Sequence, residues 1–264
     1  NDATCALAEH VAGSEENFID LMRAYVIEMG LLETNFVNAT GWPDTNHYST
    51  ARDLVKISSR LILDFPSHYA LYKEKWFTYN EIKQRNRNSL LWQDDSIDGI
   101  KTGKTDSAGY CLVTSAKRGD TRIIAITIKS DNERTRTTDN RRLLDYGFRY
   151  FQTRKILSST QPLIDETVWG GEVEKVSLFS KEDIYLTQSP RDFERINIIT
   201  NLDDYIQAPI YKGDKVGSVI IELDGIELYK EDLVSNSIID SRGFFGRVWS
   251  NLQLIVYGFL MEDE

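Results

Sequence analysis

Residues 98–130 read DGIKTGKTDSAGYCLVTSAKRGDTRIIAITIKS, and this stretch decides the fold. It divides into GIKTG, GYCLVTSAK and TRIIAITIKS, strand-like runs rich in β-branched residues, with a Gly119-Asp120 turn before the last. The pattern predicts an antiparallel meander. On its C-terminal side, residues 134–151 (RTRTTDNRRLLDYGFRYF) return to helical spacing, with Leu143, Leu144, Tyr146 and Phe148 near the packing end. On its N-terminal side, residues 13–30 place Phe18, Leu21, Met22, Tyr25 and Met29 on one helical face, with Ser14 as cap and Gly30 as stop. Thr50-Ala51-Arg52-Asp53 resembles a capping box and opens a helix that reaches Leu63. Between Pro66 and NRNSLLW the chain reads as extended and irregular. Helix, sheet and helix layers follow, an α+β arrangement.

Near residue 155 the composition shifts. ILSSTQP reads as a linker, and beyond it come short alternating runs: VEKVSLFS, DIYLTQ, RINIIT, and a pair joined across an Asp224-Gly225 turn. A small all-β domain is predicted here, and the 264 residues suffice for two cores.

Net charge is 31 basic minus 41 acidic residues, −10, with no lysine- or arginine-rich block, so a nucleic-acid partner is not expected. The two cysteines, Cys5 and Cys111, have no CxxC partner, and His10, His47 and His68 form no HExxH pair. No metal and no cofactor are predicted, and whether the cysteines pair is left open. No GxSxG elbow or phosphate-binding loop occurs.

Residues 241–264 carry Phe245, Val248, Trp249, Leu252, Ile255 or Val256, and Phe259 at helical spacing. The apolar run is too short to cross a bilayer, which needs about 20 residues. Two readings stand side by side: an interfacial helix with its aromatic face in lipid, or a helix packed on the β domain. The polar face holds only one clear cation, Arg247, and this and the terminal Glu262-Asp263-Glu264 weigh against an anionic surface.

A Lys-Thr-Gly on a strand beside a cleft has a definite use. The ammonium attracts a carboxylate and supports proton movement, the hydroxyl hydrogen-bonds the carboxylate, and the glycine lets a substrate backbone lie against the strand. Lys101-Thr102-Gly103 alone is weak, but other stretches accompany it. In chain order, NDATCALAEHVAGS (1–14), HYSTARDL (47–54), NRNSLLW (86–92), SIDGIKTGKTDSAGY (96–110) and RLLDYGFRYF (142–151) resemble the low-molecular-mass penicillin-binding proteins that are serine-type D-alanyl-D-alanine carboxypeptidases. The resemblance extends to YKGDKVG (211–217) and to the amphipathic tail.

The resemblance implies a β-lactamase/transpeptidase-like domain over residues 1–154, a β-rich stem over 155–240 and a membrane-surface helix over 241–264. It implies removal of the terminal D-alanine from peptidoglycan pentapeptides through a serine acyl-enzyme that β-lactams block. It also implies a bacterial periplasmic location, peripheral on the outer face of the inner membrane. The family uses Ser-x-x-Lys on a helix, Ser-x-Asn on a loop and Lys-Thr-Gly on the sheet. Only the third is whole here: Asn1 matches the asparagine of the second motif, and no Ser-x-x-Lys occurs. The sequence therefore reads as N-terminally truncated, inactive alone, and unstable in its first domain. Lys101 and Asn1 are the expected catalytic residues, and Lys101, Thr102, Gly103 and Arg136 the expected substrate-binding residues. For Arg136 a solvated helix start is the competing reading. Ser130-Asp131-Asn132 also spells the second motif, and Thr114-Ser115-Ala116-Lys117 has Thr-x-x-Lys spacing, but the first reads as a polar turn and the second lies on a strand, where i and i+3 face oppositely. The alternatives are a non-catalytic cell-wall or membrane-surface binding module, and a β-lactamase, which would not carry the β domain and tail.

Overall fold

Ser14 starts the helical layer as the spacing predicts. Its hydroxyl accepts from the Asn17 amide at 3.2 Å and caps α2 (Glu15–Glu28), which follows α1 (Asp2–Ala12) and ends before Gly30 at φ +61°. In this computed structural model, which describes residues 1–203 and 205–243, the chain divides into two compact units, Asn1–Tyr150 and the residues from Phe151 onward. The apolar face of α2 is only partly the predicted one: Ile19 and Val26 are buried, whereas Leu21 and Tyr25 are exposed. Of the predicted face Phe18, Met22 and Met29 are half-buried, so the stripe is rotated toward 19 and 26 by less than periodicity alone resolves.

The Thr50 hydroxyl accepts from the Asp53 amide at 3.2 Å and opens α3 (Ala51–Asp64). Only half of the expected capping box forms. The buried Asp53 carboxylate turns to the amide of Glu33 at 3.1 Å and the hydroxyl of Thr34 at 2.8 Å, tying α3 to the loop after α2.

The segment predicted as irregular is structured. It holds α4 (Pro66–Tyr69), a 3-10 turn (Ala70–Lys73), a hairpin of β1 (Trp76–Tyr79) and β2 (Ile82–Arg85), and a second 3-10 turn (Ser89–Trp92). Asn80 and Glu81 form the two-residue hairpin loop with φ of +47° and +63°, the left-handed pair such a loop requires. The hairpin is tied down by its aromatic and basic side chains. Trp76 meets Trp92 edge-on at 6.2 Å, and the Arg85 guanidinium lies 4.1 Å from the Trp92 ring centre.

The predicted meander is a three-stranded antiparallel sheet of β3 (Ile97–Thr105), β4 (Gly109–Arg118) and β5 (Thr121–Ser130), with β4 central. Helix α5 (Glu133–Tyr150) packs on it. Leu90, Leu91, Ile97, Leu112, Ala116, Ala125 and Leu144 form the core between them. Each buried leucine contributes about 1.5–3 kcal/mol of apolar transfer energy. Of the residues expected at the packing end of α5, Leu144 is buried and Phe148 packs at the core's edge, but Leu143 and Tyr146 are exposed. The buried face of α5 is Arg136, Asn140, Leu144 and Gly147, half of it polar.

The second unit is built mainly of strands. The residues read as a linker begin inside a strand: β6 (Gln152–Leu157) buries Leu157, and only then does the loop follow. The remaining elements are β7 (Ile164–Trp169), β8 (Lys175–Ser180), β9 (Ile184–Gln188), the short α6 (Pro190–Phe193), β10 (Ile196–Leu202), β11 (Ile206–Gln207), β12 (Lys215–Leu223) and β13 (Ile226–Ser235). Six strands form one sheet in the order β10-β12-β13-β8-β7-β11, and β6 pairs with β9. Asp224 and Gly225, at φ +53° and +79°, make the predicted turn between β12 and β13. The α+β class is as read from the sequence; the amphipathic helix expected over 241–264 falls mostly outside the described residues.

Candidate active site

Lys101, Thr102 and Gly103 lie on β3, opposite Val113, Leu112 and Cys111 of β4. A β-carbon at position 103 would stand 3.8 Å from that of Cys111, an ordinary contact. Packing within the chain therefore does not demand glycine there, and its value is a strand surface low enough for another backbone to approach.

Two recesses flank this strand. A cleft of about 470 Å³ is lined by Arg85, Asn86, Arg87, Ser89, Thr102, Gly103, Lys104, Tyr110, Glu133 and Arg136. A second, of about 600 Å³, is lined by His68, Leu71, Tyr72, Asn86, Arg87, Ile100, Lys101 and Thr102. Thr102, Asn86 and Arg87 border both. Four cations face one acid, Glu133, in the first cleft, so it favours anions although the chain carries −10 overall.

The structure thus brings Thr102, Gly103 and Arg136 together and sets Lys101 beside them. Arg136 is not a solvated helix residue: it is 4% exposed, with its guanidinium 5.8 Å from the Tyr110 ring centre and 3.3 Å from Glu133 Oε1. Its buried Nε has no partner, an unmet donor beside the cleft. Lys101 Nζ donates to the Thr102 carbonyl at 2.5 Å. Burial first, and the Arg87 charge second, hold the Lys101 ammonium below the usual lysine range. Asn1 is exposed at the start of α1 and is not among the residues lining either recess.

Both decoys resolve. The Asn132 side chain accepts from the Thr135 amide at 2.9 Å and caps α5. Thr114 is fully buried while Lys117 is exposed, so no nucleophile–base pair exists there. His47 accepts from the Val37 amide at 3.3 Å and meets Phe36, a loop-holding role. Cys5 and Cys111 are both free. Among the described residues, no cluster of His, Cys, Asp or Glu is placed to hold a metal ion. Sequence reasoning missed Arg85, Arg87, Tyr110 and Glu133 as cleft residues; Arg87 and Tyr110 lay inside stretches quoted for the family resemblance, while Arg85 and Glu133 carried no signal.

A helix-backed antiparallel sheet carries Lys-Thr-Gly on its edge strand beside a basic cleft, and that motif is the one β-lactamases and penicillin-binding proteins share. Comparison with known proteins specifies it. Residues 1–132 match the D-alanyl-D-alanine carboxypeptidase family, and residues 151–240 match the C-terminal domain of penicillin-binding protein 5. The chain is 38% identical over 251 residues to the D-alanyl-D-alanine carboxypeptidase DacC of Escherichia coli, covering 94% of this chain and 63% of that protein. It resembles the crystal structure of penicillin binding protein 5 from Haemophilus influenzae at 37% identity and a TM-score of 0.75, covering 91% and 71% of the two chains. Penicillin-binding protein D2 of Listeria monocytogenes, solved in its cefotaxime-bound form, is 32% identical, with a TM-score of 0.52 over 56% of this chain and 61% of that one. The chain belongs to the D-alanyl-D-alanine carboxypeptidase family. It spans just under two thirds of the length of the curated relatives it matches.

Proposed function

We propose that these 264 residues form part of a penicillin-binding, serine-type carboxypeptidase that removes the terminal D-alanine from peptidoglycan pentapeptides. The observation that carries the reading is the juxtaposition of Thr102 and Gly103 with the buried, incompletely partnered Arg136 in one basic cleft, with Lys101 alongside. In this reading the substrate's C-terminal carboxylate binds the Thr102 hydroxyl and the Arg136 guanidinium, and its backbone lies along Gly103. Lys101 supplies a further positive group and, with its lowered proton affinity, a route for proton movement. The family's serine attacks the carbonyl of the last peptide bond. The C–N bond breaks, protonated D-alanine leaves, and water then hydrolyses the ester. A β-lactam opens to the same ester but keeps its leaving group tethered.

No Ser-x-x-Lys occurs in the 264 residues, so this reading puts the nucleophile outside them and expects the residues alone to be inactive. The surface supports this: Leu7, Val11, Tyr25, Ile27 and Leu32 on or beside α1 and α2 are exposed, an apolar area suited to the rest of the domain. Asn1 is assigned to the second motif on its sequence neighbours. Residues 155–240 act as a stem, and 241–264 place the enzyme peripherally on the outer face of the inner membrane, in the periplasm.

The test is D-alanine release from a pentapeptide. The protein carrying its Ser-x-x-Lys segment should release it, the 264 residues alone should not, and Lys101→Ala in the longer protein should slow release at least about 100-fold. Release by the 264 residues alone, or an unchanged Lys101→Ala variant, would overturn the assignment.

A further inference from the structure

Lys101 faces the recess only if β3 keeps its register, and that register contains an irregularity three residues earlier. Ile97 lies opposite Ala116 and Gly99 opposite Ser115, leaving Asp98 as the extra residue of a β-bulge. Beyond it, pairing is regular through Lys101 to Thr105. Successive strand residues point to opposite faces, so a bulge that moved past Lys101 would turn the ammonium away from the recess.

Asp98 is held from two directions. Arg122 Nη1, on β5, donates to both carboxylate oxygens at 2.9 and 2.8 Å and to the Ser115 hydroxyl of β4 at 2.5 Å. The Tyr69 hydroxyl, from α4, donates to the same carboxylate at 2.5 Å. The network therefore spans all three strands and the helix beside them. Tyr69 also packs on the bulge: a β-carbon at Gly99 would stand 2.9 Å from its hydroxyl oxygen. Asn88 Nδ2 donates to the Gly99 carbonyl at 3.1 Å, closing the other side. Upstream, Arg118 binds Asp94, and the Lys117 amide donates to the Ser96 carbonyl, so the strand entrance is fixed as well.

We infer that Asp98, with Arg122 and Tyr69, is a positioning group that locks the β3 bulge and thereby fixes the face on which Lys101 meets substrate. Asp98 touches no substrate in this account; it acts through the strand. The inference rests on the carboxypeptidase reading for its catalytic consequence, but not for its structural one.

The test uses the whole protein with its Ser-x-x-Lys segment and two readouts: the acylation rate by a fluorescent penicillin per folded molecule, and the titration midpoint of Lys101 Cε followed by 13C NMR. Asp98→Ala should slow acylation about 100-fold, the scale of a misplaced reacting group, and move the Lys101 midpoint. Asp98→Asn, which keeps an acceptor of the same shape, should recover part of both. Leu144→Ala, which loosens the core without touching the network, should acylate at the parent rate. Asp98→Ala at the parent rate, or with an unmoved midpoint, overturns the lock. If Asp98→Ala does not fold, Tyr69→Phe decides by the same readouts, with a smaller loss expected and parental behaviour contradicting the proposal. If the parent itself is never labelled, the carboxypeptidase reading fails, and the titration alone judges the lock.

Discussion

Gly103 on β3 lies directly opposite Cys111 on β4, and a β-carbon at position 103 would stand 3.8 Å from that of the cysteine. This separation is the usual one across a disulfide, about 3.8 Å. Gly103→Cys, made in a Cys5→Ser background, should therefore form a 103–111 bond under mild oxidation. Mass spectrometry of the non-reduced digest reads it directly. Two free thiols after oxidation would show that β3 pairs in another register.

The Asn140 side chain donates to the carbonyls of Leu112 and Ala125, 3.2 Å from each, while fully buried between α5 and the sheet. Asn140→Ala leaves both carbonyls without this donor and opens a small void. The expected loss is about 1–3 kcal/mol. Chemical denaturation should show a lower midpoint, and an unchanged midpoint would mean the amide does not tie these elements.

Loss of water around the Lys101 ammonium, and then the Arg87 charge, disfavour its protonated form. Arg87→Gln removes the second cause and leaves the first. The proton then stays on to higher pH, so the Lys101 midpoint should rise while remaining below the usual lysine value. The linkage has a definite sign. A lowered folded-state value means the unfolded chain binds more protons in that window, so this group's contribution to stability rises with pH through it. NMR titration of the Arg87→Gln variant checks the shift; a midpoint that falls or stays put contradicts the electrostatic account.

What could be read from the sequence followed the strength of local signals. The meander was legible because β-branched runs and a Gly119-Asp120 turn agree with each other; the Ser14 cap forms as read, and Thr50 caps α3 without the second half of its box. The β1–β2 hairpin was missed because its loop, Asn80-Glu81, lacks the glycine that usually marks two left-handed residues. The buried face of α5 was misread because Arg136 and Asn140 occupy positions where periodicity expects apolar side chains. Of the candidate site, Lys101-Thr102-Gly103 and Arg136 were named from the sequence, the second only through a family resemblance, and both border the recesses. The Asp98 lock was not, since Tyr69, Ser115 and Arg122 are scattered along the chain and only folding gathers them around one carboxylate.

Among the described residues no helix is long and apolar enough to cross a membrane, and the tail proposal concerns surface binding instead. Vesicles of bacterial lipid should retain the whole chain in a flotation assay and lose it when residues 241–264 are deleted. Equal retention after the deletion would rule out the anchor.

Labelling with a fluorescent penicillin, read by denaturing electrophoresis, tests the central claim most directly. The 264 residues should take up no label, and the same residues preceded by their Ser-x-x-Lys segment should be labelled covalently, with Lys101→Ala in that protein slowing the reaction. Absence of label on the longer protein, or label on the 264 residues alone, would contradict the account.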